Sequence, residues 1–419
     1  MKEEELKIAV KNNDLDRVIY LMNKYDLHIE ALYYAIFYEN INIIKYILEH
    51  GGNASTALNS AILDSKLNII NYLLDEFKAD PSAYNNQVLK TAIRNVGIKN
   101  RLDIVNRLLK DPRVDPTGIN ISDIELDVLN RLLEDPRVDP SVDGNDAIIM
   151  ASLFGHTNIV NRLLEDPRVD PSADNNEALN ASSESGHINV VNRLLEDPRV
   201  DPSIGIAIIG ASANGHINVV NRLLEDPRVD PSMNNNHAIL FASIYGNVDV
   251  LNRLLEDPRV DPSADNNKAI RLTASEYGHQ LITIKRLLKD SRVDPSANNN
   301  EAVIKSFALA STLGTLDSLD IDSLEVVRLL LADKRINQND VMKDMLELDL
   351  ELASKFRKFL EEISMERQIK NKLITDLSIN YPDDVARLIA NYRYFGSRKR
   401  KNKKRSQKRN KKKRSQKRN

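Results

Sequence analysis

The sequence predicts an all-α solenoid of helical repeats, and a recurring string of residues is the main reason. The chain has 419 residues, and Arg-Leu-Leu-Glu-Asp-Pro-Arg-Val-Asp-Pro-Ser occurs in it five times. The copies start at Arg131, Arg162, Arg193, Arg222 and Arg253, and altered copies lie on both sides of them. A period of about 31 residues with two helical patterns is typical of stacked helix pairs, which bury their apolar faces against neighbouring repeats.

Each repeat is expected to hold two helices, as residues 175–203 illustrate. In the first half, Ala178, Leu179 and Ser182 have helical spacing, and Gly186 is the kind of residue that ends a helix in a left-handed conformation. In the second half the apolar residues at i, i+1, i+4 and i+5 are Val190, Val191, Leu194 and Leu195. An Asp-Pro pair then ends the second helix. The Asn-rich segment before each first helix is predicted to be a turn.

The second half of the repeat resembles the ankyrin family. Residues 186–196, Gly-His-Ile-Asn-Val-Val-Asn-Arg-Leu-Leu-Glu, are similar to that family's second-helix signature. The family's opening Thr-Pro-Leu-His is missing, and Asp-Pro-Arg-Val replaces its Gly-Ala between helix pairs. The pattern resembles the divergent ankyrin-repeat proteins of the kind that large DNA viruses encode. This resemblance implies an ankyrin-like solenoid that binds a protein through its concave face.

The repeats predict three regions along the chain. Residues 1–336 are expected to form an ankyrin-like solenoid of about eleven units, and residues 337–396 a C-terminal helical cap. Residues 397–419 are expected to be a disordered Lys/Arg-rich tail. The unit at 118–141 is short, so its first helix is predicted to be lost or reduced to a turn around residues 121–123. An insertion at 314–322 is predicted to be a surface loop.

Catalytic and metal sites are not expected, and no cofactor is predicted. The chain has no cysteine, which excludes disulfides and thiolate ligands. Gly-His pairs occur in four of the repeats, at His156, His187, His216 and His279. Packed helices lie about 8–10 Å apart, whereas zinc lies about 2.0–2.1 Å from a ligating nitrogen. These histidines are therefore predicted to bond to neighbouring backbone. The recurring Glu-Asp pairs are predicted to form a salt-bridged outer face, in which Arg162 pairs with Asp166.

Candidate binding residues vary between repeats just before the capping glycine, where stacking does not require a particular side chain. The resemblance places these positions on the concave face. The candidates are Phe154, Glu184, Asn214, Tyr245 and Tyr277. Aromatic residues are frequent anchors at interfaces, so the three aromatic candidates are expected to contact an unknown protein partner. The alternative interpretation is neutral variation on a surface that binds nothing.

A second candidate lies within residues 373–396, which resemble the opening of a truncated F-box. The matching residues are Pro382, Val385, Leu388 and Ile389. Tyr381 replaces the family's leading leucine, and the rest of an F-box is missing. The resemblance implies recruitment of a ubiquitin ligase through a Skp1-like subunit, with the repeats holding the substrate. The alternative is an ordinary amphipathic helix with proline in its first turn.

The charge distribution separates the tail from the rest of the chain. The tail carries 15 Lys/Arg and no Asp/Glu, which leaves 44 basic and 61 acidic residues elsewhere. Its first basic residues are Arg398, Lys399, Arg400, Lys401, Lys403, Lys404 and Arg405. Such a run either binds an import receptor, or neutralises nucleic-acid phosphates without specificity, or is a neutral sequence duplication. With an acidic N-terminus and no long apolar run, the chain is expected to be intracellular, nuclear or nucleocytoplasmic, and not to bind membranes.

Overall fold

The computed structural model describes residues 2–94, 97, 99–275, 281–312 and 321–380. Within these ranges every regular element is an α-helix, and no strand occurs. The described residues form two compact lobes. Lobe 1 holds those up to Thr273 together with Ile282–Val293, and lobe 2 holds the remainder. In the same part of the chain, none of the helices combines the length and apolarity of a membrane span.

Pairs of helices build lobe 1. The first three pairs are α1 Lys2–Lys11 and α2 Leu15–Tyr25, α3 His28–Phe37 and α4 Ile41–Glu49, α5 Ala54–Leu63 and α6 Leu67–Asp75. The helices that follow are α7 Ala83–Arg94, α8 Arg101–Leu109, α9 Leu126–Leu133, α10 Val142–Leu153, α11 Thr157–Leu164, α12 Ala173–Glu184, α13 Ile188–Leu195, α14 Ala207–Ala213, α15 Ile217–Glu225, α16 Met233–Ile244, α17 Val248–Glu256, α18 Ala264–Ser275 and α19 Leu281–Leu288. No helix precedes α9 in the unit at 118–141, so α9 is a second helix without a first.

The core lies between the two rows of helices. On α13 the residues with helical spacing, Val190 to Leu195, place four apolar side chains in the interior. On α12 the residues Ala178, Leu179 and Ser182 are buried as well. Each repeat therefore contributes one buried stripe from its first helix and one from its second, which is the pattern that the spacing predicts.

The Asp-Pro-Arg loop after each second helix ties neighbouring repeats together. The Arg199 guanidinium donates two hydrogen bonds to the Asp197 carboxylate, Nε to Oδ1 at 2.9 Å and Nη2 to Oδ2 at 2.8 Å. It also donates to the carbonyls of Val169 at 2.8 Å and Leu164 at 3.0 Å in the preceding repeat. The Leu164 carbonyl ends α11, where helix carbonyls lack partners of their own. Equivalent pairs of carbonyl bonds are made by Arg137, Arg228, Arg259 and Arg292. Arg113 and Arg168 each bond to one carbonyl of the preceding repeat.

This loop shows that the predicted pairing of Arg162 with Asp166 is wrong. Because α11 ends at Leu164, Asp166 lies in the loop and accepts hydrogen bonds from Arg168 at 2.9 and 2.7 Å. Arg162 instead donates to Asn130 Oδ1 of the preceding repeat at 2.8 Å. The side-chain hydrogen bonds from Arg168 lower the pKa of the Asp166 carboxyl, and partial burial opposes that change.

Three consecutive residues near the start of most first helices have a left-handed backbone and interrupt the helix after its first residue. In the repeat of α12 they are Asp174, Asn175 and Asn176, with φ of 50°, 59° and 62°. Asn and Asp tolerate this conformation better than other residues with a side chain. Asn176 is 1% exposed, and its amide donates to the carbonyls of Asp201 at 2.9 Å and Ile204 at 3.1 Å in the next repeat. The Asn-rich segment is thus a turn, as predicted, and also a bond between repeats.

Lobe 2 is built around a cluster of phenylalanines. Its helices are α20 Ala297–Thr312, α21 Ile321–Leu331, α22 Gln338–Leu348 and α23 Leu350–Asn380. The ring of Phe307 lies 5.0 Å from that of Phe356 and 5.4 Å from that of Phe359, measured between centroids, and all three are buried. The predicted loop at 314–322 is wrong at its end, because α21 already begins at Ile321. Residues 313–320 lie outside the described part of the chain.

Candidate protein-binding surface

The candidate residues of lobe 1 lie at the C-terminal ends of first helices. Phe154, Asn214 and Tyr245 each follow the last residue of a first helix directly, and all three are exposed. The exposed fraction is 53% for Phe154 and 52% for Tyr245. Glu184 is also exposed, but it is the last residue of α12 and lies one position earlier in the repeat than Phe154 does. It is therefore not equivalent to the other three candidates. Tyr277 lies outside the described residues.

A glycine fixes the end of each of these helices. Gly155 and Gly186 have φ of 73° and 80°, which is the left-handed conformation expected of a helix-ending glycine. The space also requires glycine, because a Cβ on Gly155 would lie 2.6 Å from Nδ1 of His187 in the next repeat. A larger residue would thus strain the backbone and clash with the neighbouring repeat.

The Gly-His histidines that the structure describes bond to backbone, as the sequence predicts, and His279 lies outside the described residues. His187 Nε2 lies 2.9 Å from the Leu153 carbonyl, and His216 Nε2 lies 2.9 Å from the Glu184 carbonyl. A carbonyl accepts hydrogen bonds, so the nitrogen that faces it carries the proton. The equivalent residue Asn247 donates from its amide to the Ala213 carbonyl at 2.8 Å. Each of these side chains therefore holds the helix end that carries the candidate residues of the preceding repeat.

An aromatic stripe runs along one face of α16 and ends at Tyr245. The rings of His237 and Phe241 lie 5.5 Å apart, and those of Phe241 and Tyr245 lie 6.0 Å apart with their planes 21° from parallel. The preceding first helix has Gly210 at the position equivalent to Phe241. A Cβ there would lie 3.2 Å from the Glu184 Cβ, so these helices pack closely at that point.

A second exposed apolar stripe lies on α3, and sequence reasoning missed it. Its residues are Ile29, Tyr33 and Phe37, at i, i+4 and i+8, and their exposed fractions are 81%, 46% and 45%. The rings of Tyr33 and Phe37 lie 6.4 Å apart. Leu63 ends α5 and is exposed beside them. The signal in the sequence was helical spacing of large apolar residues on the side opposite the buried stripe.

A groove of about 960 Å³ opens beside the stripe on α3. Its lining includes Tyr33, Tyr46 and His50 on one side and Thr56 and Ser60 of α5 on the other. The loop from α4 to α5 has just four residues, with Gly-Gly in place of the Asp-Pro-Arg loop. This loop therefore lacks the arginine that in later repeats bonds to the preceding repeat, and residues of the loop line the groove.

The candidate residues of the C-terminal region lie outside the described residues. They are Pro382, Val385, Leu388 and Ile389 of the F-box-like segment, and Arg398, Lys399, Arg400, Lys401, Lys403, Lys404 and Arg405 of the tail. Of residues 373–396, the structure describes the backbone of 373–380 alone, which belongs to α23.

Comparison with known families agrees with this geometry. The family model for ankyrin repeats, in three copies, matches residues 6–85 and 119–205. These segments include the stripe on α3, its groove, and the candidates Phe154 and Glu184. No curated protein matches the chain. These two segments match the ankyrin-repeat model, and the predicted all-α, ankyrin-like solenoid is confirmed for the residues that the structure describes.

Proposed function

We propose that this protein is a non-catalytic scaffold that binds a partner protein through the exposed face of its first helices. The observation that carries the proposal is the pair of half-exposed aromatic residues, Phe154 and Tyr245, at equivalent positions of two repeats. Ankyrin repeats generally mediate contacts between proteins. Exposed aromatic side chains on a rigid framework supply binding energy at low entropic cost.

The framework holds these residues in place and leaves about half of each side chain exposed. The bond from His187 fixes the end of the helix that precedes Phe154, and the bond from Asn247 fixes the end that precedes Asn214. The rings of Phe154 and Tyr245 remain accessible. A partner that covers them therefore buries apolar area without reorganising the solenoid.

Affinity purification of the tagged full chain tests the proposal. The variant carries Phe154→Ser with Tyr245→Ser, and the control is Tyr20→Ser, which removes an aromatic side chain of similar exposure from the second helix α2. With nuclease present, we expect one protein to be enriched by the parent and by the control. Its recovery should fall at least about tenfold with the double variant, since anchors of this kind carry much of an interface's energy. Equal recovery by all three chains would contradict the proposal.

The same purification separates the scaffold from a ubiquitin-ligase adaptor. The adaptor alternative is supported by the F-box resemblance of residues 377–392. It predicts that Skp1-like and cullin subunits are recovered with the substrate, and that replacing Val385, Leu388 and Ile389 with Asp abolishes their recovery. If ligase subunits are absent from the parent sample, the plain scaffold remains the better proposal.

A further inference from the structure

The stripe on α3 is not needed for packing within the repeat. The buried side of α3 consists of Ala31, Leu32, Ala35 and Ile36. Ile29, Tyr33 and Phe37 lie on the opposite side and expose between nearly half and four fifths of their surface. Exposed apolar residues that form a contiguous patch usually mark an interaction site, whereas scattered ones do not.

The groove gives this stripe a place for an inserted side chain. Tyr33 and Ile29 belong both to the stripe and to the groove lining. The imidazole of His50 stacks on the Tyr46 ring, with centroids 4.0 Å apart, and both rings line the same groove. The small residues Thr56 and Ser60 leave the opposite side open. A volume of about 960 Å³ has room for a large side chain together with neighbouring parts of a peptide.

Basic side chains occupy two of the three stripe positions on other first helices. Lys7 and Lys11 on α1 occupy the positions equivalent to Tyr33 and Phe37 on α3. Lys90 and Arg94 take the same positions on α7. Within the described residues, none of these four cations forms an ion pair, and Glu30 is the one carboxylate in the groove lining. The α1 position equivalent to Ile29 holds Glu3, so the positive charge corresponds to the Tyr33 and Phe37 part of the stripe.

A fifth cation touches the stripe directly. Lys66 Nζ lies 5.5 Å from the centroid of the Phe37 ring and also donates to Glu39 Oε1 at 3.0 Å. Lys66 is thus already paired with a carboxylate, whereas Lys7 and Lys11 of α1 form no ion pair within the described residues. This combination favours acidic residues next to an apolar anchor, because opposite charges attract and like charges on a partner would be repelled.

We propose that the groove between α3 and α5 binds a peptide segment of a partner protein that carries a large apolar side chain next to acidic residues. The apolar side chain enters the groove beside Tyr33, and the acidic residues face Lys7 and Lys11. The inference deepens the proposed function, on which it rests, by naming a second surface of the same face and the chemistry of the segment that it takes.

Selection from a random peptide library displayed on phage tests this inference against the immobilised full chain. We expect enriched peptides to combine a large apolar residue with neighbouring Asp or Glu. As synthetic fluorescent peptides they should lose at least about tenfold in affinity for Tyr33→Ser with Phe37→Ser, the usual result for removing interface anchors. They should also lose affinity for Lys7→Glu with Lys11→Glu, and this loss should shrink at high salt. Tyr20→Ser is the matched control and should bind like the parent.

Several outcomes would overturn the inference. They are a failure to enrich any peptide, enrichment of basic peptides, and unchanged affinity for the variant at Tyr33 and Phe37. Melting curves by circular dichroism identify a variant that does not fold, and Ile29→Ser, at a highly exposed position, then replaces it. If enriched peptides lose affinity with Phe154→Ser and Tyr245→Ser alone, the groove proposal fails while the proposed function stands. If the peptides behave as expected but recovery of no purified protein depends on Phe154 and Tyr245, the groove proposal stands and the proposed role of those two residues fails.

Discussion

The repeats from α8 to α17 and the helix pairs α1 to α6 use the same stacking with different loops. The later repeats carry an Asp-Pro-Arg loop, in which Arg199, for example, reaches two carbonyls of the preceding repeat. The early helix pairs have short loops, and in one of them Gly52 packs so closely that a Cβ would lie 2.8 Å from the Ile47 carbonyl. The comparison teaches that the sequence of the loop after the second helix, rather than the helix pair itself, determines whether side-chain hydrogen bonds connect neighbouring repeats there.

The consequence for function is that the two regions suit different contacts. In the later repeats the arginine side chains occupy the space between neighbouring loops. The exposed candidates Phe154 and Tyr245 lie away from these loops, at the C-terminal ends of the first helices. Where the arginine is missing, a groove opens beside Tyr33. Four predictions test this difference, from the largest expected effect to the smallest.

Acidification is expected to loosen the later repeats first. The bonds from Arg199 and its equivalents lower the pKa of the paired Asp carboxyls, while the unfolded value is about 3.9. The stabilisation is therefore complete above about pH 4 and is lost as the pH falls from there towards the lowered folded values. Hydrogen exchange by mass spectrometry at pH 6 and pH 3 should show a larger loss of protection in α8 to α17 than in α1 to α6. An equal loss in both regions would contradict the assigned role of the loop.

Removing a single bridging arginine is expected to have the next largest effect. Arg199→Ala leaves the Asp197 carboxylate, which is 6% exposed, without its charged partner, and it frees two carbonyls. We expect the free energy of unfolding to fall by about 2 kcal/mol, the scale of hydrogen bonds to charged groups. Urea titration measures it.

The control for this change comes from the early region. Lys45→Ala removes an exposed i,i+4 partner of Glu49 on α4, with an expected cost of less than about 0.5 kcal/mol. A loss for Arg199→Ala no greater than that of the control would show that the bridge contributes little to stability.

The left-handed turns provide a smaller effect. Asn176→Gly keeps the left-handed backbone but removes the amide that bonds to Asp201 and Ile204, so we expect a loss of about 1 kcal/mol. Asn175→Gly changes an exposed residue with the same conformation and should lie within about 0.5 kcal/mol of the parent. If both variants lose the same amount, the backbone rather than the amide explains the effect.

Most of the fold could be predicted from the sequence, because helical spacing and a repeated string report directly on stacking. The buried stripe from Val190 to Leu195 and the helix end before Gly186 are where the pattern places them. The arginine bridge could not be predicted in the same way. It depends on the helix ending at Leu164, which moves Asp166 out of reach of Arg162 and towards Arg168.

The candidate surface could be predicted in part. The position next to the capping glycine identified Phe154 and Tyr245 as exposed, but it took Glu184 from the adjacent row, where Ser185 is the true equivalent. The stripe on α3 has no such glycine, because Glu39 takes the left-handed conformation there with φ of 58°. A search that uses the capping glycine as its marker therefore misses the repeat in which Tyr33 and Phe37 are exposed.

The smallest effect is expected at the histidines that hold the ends of the first helices. Asn247 donates to the Ala213 carbonyl in the same place where His216 bonds to the Glu184 carbonyl, and Asn40 bonds to the Val10 carbonyl in the early region. His216→Asn should thus cost less than about 0.5 kcal/mol, whereas His216→Ala leaves the carbonyl without this partner and should cost about 1 kcal/mol. Urea titration of both variants measures the difference. If His216→Asn lowers the free energy of unfolding as much as His216→Ala does, the histidine stabilises the helix end by packing against Gly186. The later repeats would then differ from the early helix pairs in how the helix end is held, as well as in their loops.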